Sequence, residues 1–397
     1  MTSPRLLGAL DNLHGMMADL VQALPDAEVR RQFHPALHPP GWYLGRAVYL
    51  ETYWLRERLQ GDADLSGRVR HIFAPGSATP AQTGALLPPR DHLLNWALEI
   101  QDEHLTRLAN PGLLPPHPLL ADDWLPSHLW QVQSLLYEQL LLVLIARNIA
   151  RSPERDYQPA QPLVPQLPTA STASVSQGHY RIGAREGVAF DNELPVQAVE
   201  LHSYRIRRRT VSNAEYLAFM DDGGYERKEL WSEDGRAWLA ASGGTHPYGW
   251  RRSADGNWHG VGLNGPYGLV ADDPVTGLSL HEAQAFATWT SGLGGELAGA
   301  VLPHEYQWET AVRTQALTEH GRALEWCSNT FEPYDAYAAP ADPELATAEL
   351  DGRHQSVRGA SVHTQPCLRR ASLRRAALPD DRHLLAGCRL VLPPAPS

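Results

Sequence analysis

A proline-rich stretch near the middle of the chain separates two segments with different residue patterns. It reads SPERDYQPAQPLVPQLPTASTASVSQG and has few apolar residues at regular spacing. Such a composition is typical of an extended connection between folded domains. We therefore predict a first domain over residues 1–153, a connection over 154–176 and a second domain over 177–397. Two domains also suit a chain of 397 residues.

The first segment carries four stretches in which apolar residues recur three and four positions apart. They cover residues 3–24, 41–59, 88–109 and 126–150. This spacing places the apolar side chains on one face of a helix. Pro40 and Pro126 stand at or just before helix starts, where a missing N–H costs nothing. We predict four helices that pack as an up-and-down bundle.

The second segment shows short strand-like runs and turns rich in Gly, Asp and Pro from His179 onward. Two helices are still predicted here. Each begins with a serine that is followed three residues later by a glutamate, Ser212 with Glu215 and Ser279 with Glu282. That pairing is the sequence pattern of a capping box at a helix N-terminus. We predict an α+β domain with much irregular structure.

The composition excludes several classes of protein. A net charge of -11 gives the chain no basic field, so we expect no nucleic-acid partner. Three widely spaced cysteines, Cys327, Cys367 and Cys388, predict neither a disulfide framework nor a thiolate zinc site, and we interpret them as structural. The N-terminal residues lack a signal-peptide pattern, and no unbroken apolar run reaches the roughly 18 residues of a membrane span. We expect a cytoplasmic protein without a membrane partner.

Eight motifs follow one another along the second segment. They are FDNELP, RRTVSNAEYLAFMDDGGY, LWSEDGRAWL, DDPVTGLSLHEAQAFATW, VLPHEYQWETAVR, ALEWCSNTFEPYDAY, VRGASVHT and AGCRLVL. In this order they resemble the sulfatase-modifying-factor domain, the C-type-lectin-like α+β fold of the formylglycine-generating enzyme. The resemblance covers about residues 177–392. The cysteine pair with which those enzymes bind copper has no match, because VRGASVHTQPCLRR offers Cys367 alone.

The first segment indicates which group of proteins with this domain the chain resembles. HPPGWYLGRAVYLETYWLRE is similar to a helix of the DinB-like bundle in EgtB-type ergothioneine-biosynthesis sulfoxide synthases, which have the same order of domains. The resemblance implies a non-haem iron enzyme that uses oxygen to join a thiol to the imidazole of a trimethylated histidine. In that family three histidines of the bundle bind the iron. The matching positions here are Arg46, Tyr137 and Leu141.

These three residues cannot form the family's iron site. Arginine stays protonated, leucine has no lone pair to donate, and Tyr137 could ligate only as a phenolate. We therefore predict that the iron site is lost and expect no cofactor. A buried Arg46 would need a partner, and Glu51, Glu138 or a bound anion could serve.

Arginines are concentrated near the C-terminus. Three of them, Arg370, Arg374 and Arg375, join Arg46, Tyr137 and Glu138 as predicted ligand-binding residues, because guanidinium groups bind carboxylates or phosphates. Arg375 and Ala376 also stand where the family has an amide and an aromatic residue that hold the substrate. Alternatively, the arginines form structural ion pairs with core acids. The residues concerned are Arg358, Arg369, Arg370, Arg374, Arg375, Arg382 and Arg389, with Asp191, Glu193 or Glu309 as acids.

Three functions remain open. The leading hypothesis is an iron-free relative that binds a small anionic or carboxylate ligand, or a partner protein, in an arginine-lined cleft between the domains. The second is a sulfur- or selenium-transferring oxygenase with a relocated Fe(II) site and Tyr137 as acid or phenolate. The third is an accessory subunit of an active paralogue, recognisable by an exposed apolar patch on the bundle. The second hypothesis would draw its ligands from His34, His38, His92, His104 and His128. We interpret His34, His38 and His104 as solvated side chains instead, His104 because it follows Asp102 and Glu103 on a predicted helix.

Overall fold

The computed structural model describes residues 2–151, 157–185, 187, 189–347 and 350–394. The chain divides into two compact units. The first comprises Met1–Ala150 and Ala341–Glu344, and the second Arg151–Pro340 and Leu345–Ser397. Residues 153–156, where the first domain was predicted to end and the connection to begin, lie outside the described residues.

The first unit is helical, as predicted. A π-helix over Tyr53–Arg58 continues its third helix. The helices that match the four predicted stretches are α1, α3, α6 and α7, and prolines occupy the first turns of α1 and α3. The full set is α1 (Pro4–Gln22), α2 (Asp26–Val29), α3 (Pro40–Thr52), α4 (Asp64–Phe73), α5 (Pro80–Leu86), α6 (Arg90–Ala109) and α7 (Trp124–Arg151).

Helix α7 is a long, apolar and largely buried helix of the first unit. Helical residues Pro118–Arg151 are long and apolar enough, by length and composition, to cross a bilayer. The sequence did not predict this, because polar residues such as Gln131, Gln133 and Glu138 interrupt the apolar run. Of the most apolar 18-residue window, 72% is buried inside the protein. Such burial is typical of a core helix.

The second unit is α+β, as predicted, and within its described residues twelve strands form four small sheets. The sheet orders are β1-β4-β12, β10-β9-β8-β11, β2-β3 and β5-β6-β7, and β11 pairs with β8 in parallel. The strands are β1 (Thr172–Val175), β2 (Gly178–Ile182), β3 (Gln197–Leu201), β4 (Tyr204–Arg207), β5 (Trp250–Arg252), β6 (Trp258–Gly262), β7 (Gly265–Gly268), β8 (Leu324–Thr330), β9 (Gln355–Gly359), β10 (Arg374–Ala377), β11 (Ala386–Cys388) and β12 (Val391–Leu392).

Strand β1 lies inside the segment that was predicted as a connection. It pairs antiparallel with β4, from Thr172 opposite Arg207 to Val175 opposite Tyr204. Ala173 and Val175 alternate with more exposed neighbours and are buried. The strands of the second unit therefore begin before Gln177, because even a short run of small residues can pair along its full length with a partner strand.

In the described part of the second unit, four α-helices accompany the sheets, and their aromatic side chains form much of the core. The capping boxes Ser212–Glu215 and Ser279–Glu282 are both present, so that prediction is confirmed. Phe219 and Phe286 pack edge to face at 5.8 Å between ring centroids. The helices are α8 (Asn213–Asp221), α9 (Glu233–Ser242), α10 (Leu280–Gly292) and α11 (Glu305–Arg313).

Candidate functional site

Arg46, the residue at the first position matching an iron ligand, lies on α3 with its guanidinium held on two sides. Its Nη1 donates to the backbone oxygen of Phe73 at 2.8 Å and to Glu344 Oε1 at 3.1 Å, and its Nη2 donates to Glu344 Oε2. The Arg46 side chain is 11% exposed and that of Glu344 is 3% exposed. This is a bidentate, largely desolvated ion pair.

The partner of Arg46 differs from both predicted acids. Neither Glu51 nor Glu138 forms the ion pair with Arg46; Glu344 does so from 298 residues away in the sequence. Glu51 is instead surrounded by two histidines and a glutamine. Local spacing on α3 or α7 could not have identified Glu344, because the contact depends on the tertiary fold.

The segment Ala341–Glu344 brings a second carboxylate to the first unit. The Tyr53 hydroxyl donates to Asp342 Oδ2 at 2.7 Å, and Arg58 Nε lies 3.1 Å from the same oxygen. Both donors come from the π-helix that continues α3, a local widening often found at functional positions. Burial, together with the hydrogen bond to Asp342, raises the pKa of Tyr53 above its ordinary value. Two acidic side chains are thus bound by one short stretch of the bundle.

Tyr137 and Leu141, the other two positions matching iron ligands, lie one turn apart on α7. Leu141 is 3% exposed and contributes apolar volume to the core. Tyr137 is partly buried, and this burial raises the pKa of its phenol above the ordinary value. Glu138, between them, is also buried.

A buried polar cluster of four side chains lies in the bundle. His14 Nε2 is 2.6 Å from Glu51 Oε1, and His104 Nδ1 is 3.1 Å from Glu51 Oε2. Gln133 Nε2 donates to Glu51 Oε1 at 2.6 Å. Burial by itself would raise the pKa of Glu51, but the charge and hydrogen bonds of the two histidines more than offset it and lower the pKa to about 2. Burial likewise opposes the charged form of His14, yet Glu51 raises its pKa overall.

Sequence reasoning missed most of this cluster. His104 was interpreted as a solvated histidine; the structure corrects this, since the residue is fully buried. His14 was not singled out, although it follows Leu13 and precedes Met17 on the buried face of α1. That position on an apolar helix face was the available signal, because a buried imidazole needs a polar partner.

The histidines proposed for a relocated metal site do not converge. The His38 imidazole stacks on Trp42 at 3.8 Å between ring centroids and lies 2.9 Å from Thr83 Oγ1. His128 stacks on Trp124 instead. Across the ranges that the structure describes, no group of three His, Cys, Asp or Glu side chains is arranged to hold a metal ion.

Arg374 is buried in the second unit, where its guanidinium donates several hydrogen bonds to internal acceptors. Its Nε and Nη2 each lie 2.8 Å from an oxygen of Glu305, and its Nη1 donates to the backbone oxygen of Asn192 at 2.8 Å. The guanidinium also lies 4.0 Å from the centroid of the Tyr334 ring. Glu305 binds Arg358 as well. With a further bond from Nη2 to the backbone oxygen of Glu332, four of the five N–H donors of Arg374 are directed at internal acceptors, which leaves little capacity to bind an external anion.

The other C-terminal arginines follow the same pattern. Arg370 donates to both oxygens of Glu193, and Arg358 to Glu309, as the ion-pair alternative predicted. Asp191, the third predicted acid, instead accepts from Tyr337 and Thr347. Further pairs join Arg382 to Glu282 and Arg389 to Glu325, while Arg369 donates to the backbone oxygens of Thr364 and Ser361.

Arg375 differs from Arg374 in its surroundings. The two residues are neighbours on β10, where successive side chains point to opposite faces. Arg374 is buried and Arg375 is only partly buried. Of the predicted ligand-binding arginines in this segment, Arg370 and Arg374 are therefore committed to internal acids, and a ligand role for Arg375 stays a prediction.

The cysteines have the surroundings of structural residues. Cys327 and Cys388 are fully buried, and burial raises the pKa of both thiols. Cys367 is partly exposed. In the described residues, none of the three forms a disulfide bond.

Comparison with known proteins identifies the family. Residues 158–321 match the model of the sulfatase-modifying factor enzyme 1-like domain. The hercynine oxygenase of Mycolicibacterium thermoresistibile is 30% identical over 86% of this chain and 70% of its own length. That of Mycolicibacterium smegmatis is 28% identical over 82% of this chain and 70% of its own. The formylglycine-generating enzyme of Thermomonospora curvata is 30% identical over 38% of this chain and 50% of its own.

The long match to hercynine oxygenase spans both the helical unit and the α+β unit. It confirms the resemblance drawn from the sequence motifs. The predicted architecture, a helical bundle followed by a sulfatase-modifying-factor domain, is confirmed with it. The chain belongs to the EgtB-type family, whose curated relatives are hercynine oxygenases.

Proposed function

We propose that this chain is a diverged member of the EgtB-type family that has lost the iron site and acts by binding a ligand or a partner protein. The ion pair between Arg46 and Glu344 carries the proposal. A metal ligand must offer a lone pair, whereas the Arg46 guanidinium is a permanent cation whose donors are directed at Glu344 and Phe73. A cation at this position also repels a metal ion.

The other two matching positions support the same conclusion. Leu141 offers no donor atom. The phenol of Tyr137 would have to lose its proton before it could ligate, and burial raises its pKa. The residues present therefore do not suit iron.

The ligand is expected to bind elsewhere than at the buried C-terminal arginines. Arg370 and Arg374 neutralise Glu193 and Glu305 inside the second unit. Breaking such pairs leaves an uncompensated buried charge, which is costly. The Arg46–Glu344 pair is buried as well, but Arg58, which meets Asp342 two residues before Glu344, is 52% exposed, so we expect an external ligand to enter there rather than at Arg370 or Arg374.

Metal analysis tests the proposal. Untagged protein is incubated anaerobically with Fe(II), separated from free metal and analysed by inductively coupled plasma mass spectrometry. We expect far less than one iron per chain. One iron, or another transition metal, per chain would overturn the proposal and favour the oxygenase with a relocated site.

A matched variant calibrates this measurement. It combines Arg46→His, Tyr137→His and Leu141→His with Glu344→Gln, so that no unpaired carboxylate remains beside the new histidines. Because neutral imidazole suits iron, we expect this variant to retain more iron than the parent chain under the same conditions. Circular dichroism establishes that both proteins are folded.

The accessory-subunit alternative makes a different prediction. It requires a paralogous partner, so an iron-free chain that co-purifies at fixed stoichiometry with an active paralogue would favour it. Exposed leucines occur on the bundle, among them Leu98 at 72% exposure on α6. Mutation of Leu98 to Lys would weaken such a complex if this face formed the contact.

A further inference from the structure

The contacts of Asp342 and Glu344 point to a binding site for carboxylates on the bundle. We propose that Arg46, Tyr53 and Arg58 form a site for an acidic peptide with two carboxylates, which the chain's own Asp-Pro-Glu segment occupies and which an external acidic peptide can take over. The inference rests on the proposed function, because an iron site would need the position of Arg46 for a metal ligand.

The donors are arranged for two carboxylates rather than one. Arg46 binds both oxygens of Glu344. Tyr53 and Arg58 meet at a single oxygen of Asp342, at 2.7 Å and 3.1 Å. All three donors belong to one continuous helical stretch, α3 and the π-helix that follows it. All of the donors are therefore supplied by the bundle and none by the segment that fills the site.

The occupant is a short and locally organised segment. Asp342 and Glu344 flank Pro343, which fixes one backbone angle, and the Glu344 amide donates to Asp342 Oδ1 at 3.0 Å. Only Ala341–Glu344 of this region belongs to the first unit, while Pro340 and Leu345 on either side belong to the second. The contacts with the bundle thus come from a segment of four residues, and a free peptide of similar length can form the same contacts.

The segment can be displaced, because its advantage over a free ligand is limited. By analogy with modules on short flexible linkers, we take the effective concentration of the segment as roughly millimolar. A buried ion pair repays little more than its own desolvation. The edge of the site also meets solvent, since the Arg58 side chain is 52% exposed. An external ligand with the same two carboxylates can therefore compete at comparable concentrations.

The test uses a peptide with the sequence of residues 340–346, PADPELA. Its binding is measured by isothermal titration calorimetry to the full chain and to the Asp342→Asn/Glu344→Gln variant, whose own segment no longer competes as a carboxylate. We expect saturable binding to the variant and at least tenfold weaker binding to the parent chain. Adding Arg46→Gln to the variant should weaken binding at least tenfold.

A peptide with asparagine and glutamine in place of the two acids is the matched control. Equal binding of the acidic and the neutral peptide, or no saturable binding to a folded variant, would overturn the inference. If the variant does not fold, hydrogen exchange of the parent chain tests whether the peptide displaces the segment. Millimolar acidic peptide should then speed exchange at the Glu344 amide, and unchanged exchange would overturn the inference.

The two proposals fail in different ways. Iron bound to the parent chain overturns the proposed function, whatever the peptide does. An iron-free chain that does not bind the acidic peptide overturns only the proposed carboxylate site. The proposed loss of the iron site is then unaffected.

Discussion

Arg46 and Glu344 lie 298 residues apart in the sequence and form a bidentate ion pair inside the first unit. The resemblance matches Arg46 to a histidine ligand of the family, and in this structure the Arg46 side chain joins two segments of the chain that are distant in sequence. The side chains are 11% and 3% exposed, which makes each dependent on the other for compensation of its charge.

The first prediction concerns this dependence. Arg46→Gln or Glu344→Gln alone should lower the free energy of unfolding by about 3–5 kcal/mol, because each leaves a buried charge unpaired. The double replacement Arg46→Leu/Glu344→Leu should cost less than either single change, since it removes both charges. Urea denaturation followed by circular dichroism measures all three. Single variants that lose less than about 1 kcal/mol would show that the pair behaves as a surface ion pair.

The second prediction concerns Glu51 and acid. Its pKa is lowered from 4.5 to about 2, so its contribution to stability is present above pH 4.5 and is lost as the pH falls toward 2. Glu51→Gln removes this contribution. The parent chain should therefore lose stability over this range more steeply than the variant, and the two acid-denaturation curves should converge at low pH. Parallel curves would contradict the prediction.

The third prediction concerns His14, whose contribution to stability is lost as the pH rises rather than as it falls. Its pKa is raised above 6.5, so the charged form stabilises the fold below pH 6.5 and the contribution is lost as the pH rises through the folded-state value. His14→Gln should remove this loss. Thermal unfolding between pH 6 and pH 9 should show a decline in the parent chain that the variant lacks. His92→Gln, at an exposed histidine of α6, is the control and should follow the parent chain.

The sequence predicts those parts of the structure that depend on local patterns. Apolar spacing located α1, α3, α6 and α7, and the serine–glutamate spacing located both capping boxes. The short helices α4 and α5 were not predicted, because they carry few buried apolar side chains. In α5, for example, the buried residue is Thr83. Motif order predicted the second domain without any need to predict its individual strands.

The candidate site depends on contacts that no local pattern encodes. The need of Arg46 for a partner followed from its charge, but the partner itself could not be identified, because Glu344 approaches from a remote segment. The burial of His104 was not predicted, because its charged neighbours Asp102 and Glu103 indicated a solvent-exposed face of the helix. Only the packing of α6 against α1 and α3 decides which face is buried.

The fourth prediction concerns Gly45, which precedes Arg46. A Cβ at this position would lie 2.3 Å from the Phe73 ring, and the backbone oxygen of Phe73 accepts a hydrogen bond from Arg46. Gly45→Ala should therefore displace Phe73, weaken the Arg46 site and destabilise the bundle. Gly8→Ala on α1 is the control, since a Cβ there meets no atom within 4 Å. That change should stabilise the protein by about 0.5–1 kcal/mol through helix propensity. Equal effects of the two changes on thermal stability would contradict the prediction.

The fifth prediction separates a structural arginine from a ligand-binding one. Burial alone would raise the pKa of Glu305, but the hydrogen bonds and charges of Arg374 and Arg358 lower it to about 2. Arg374→Gln removes the largest of these compensating interactions, so the pKa of Glu305 should rise toward 4.5.

The consequence is a shift in acid unfolding. Glu305 stabilises the fold above its unfolded-state pKa and loses this contribution as the pH falls, so Arg374→Gln should move the acid-unfolding midpoint of the second unit to higher pH. Arg181→Gln, at an exposed arginine of β2, is the control and should leave the midpoint unchanged. If Arg374→Gln left acid stability intact and instead abolished the binding of an anion, Arg374 would be a ligand residue after all. Its bonds to Glu305 argue for the structural outcome, because both oxygens of that carboxylate are already taken.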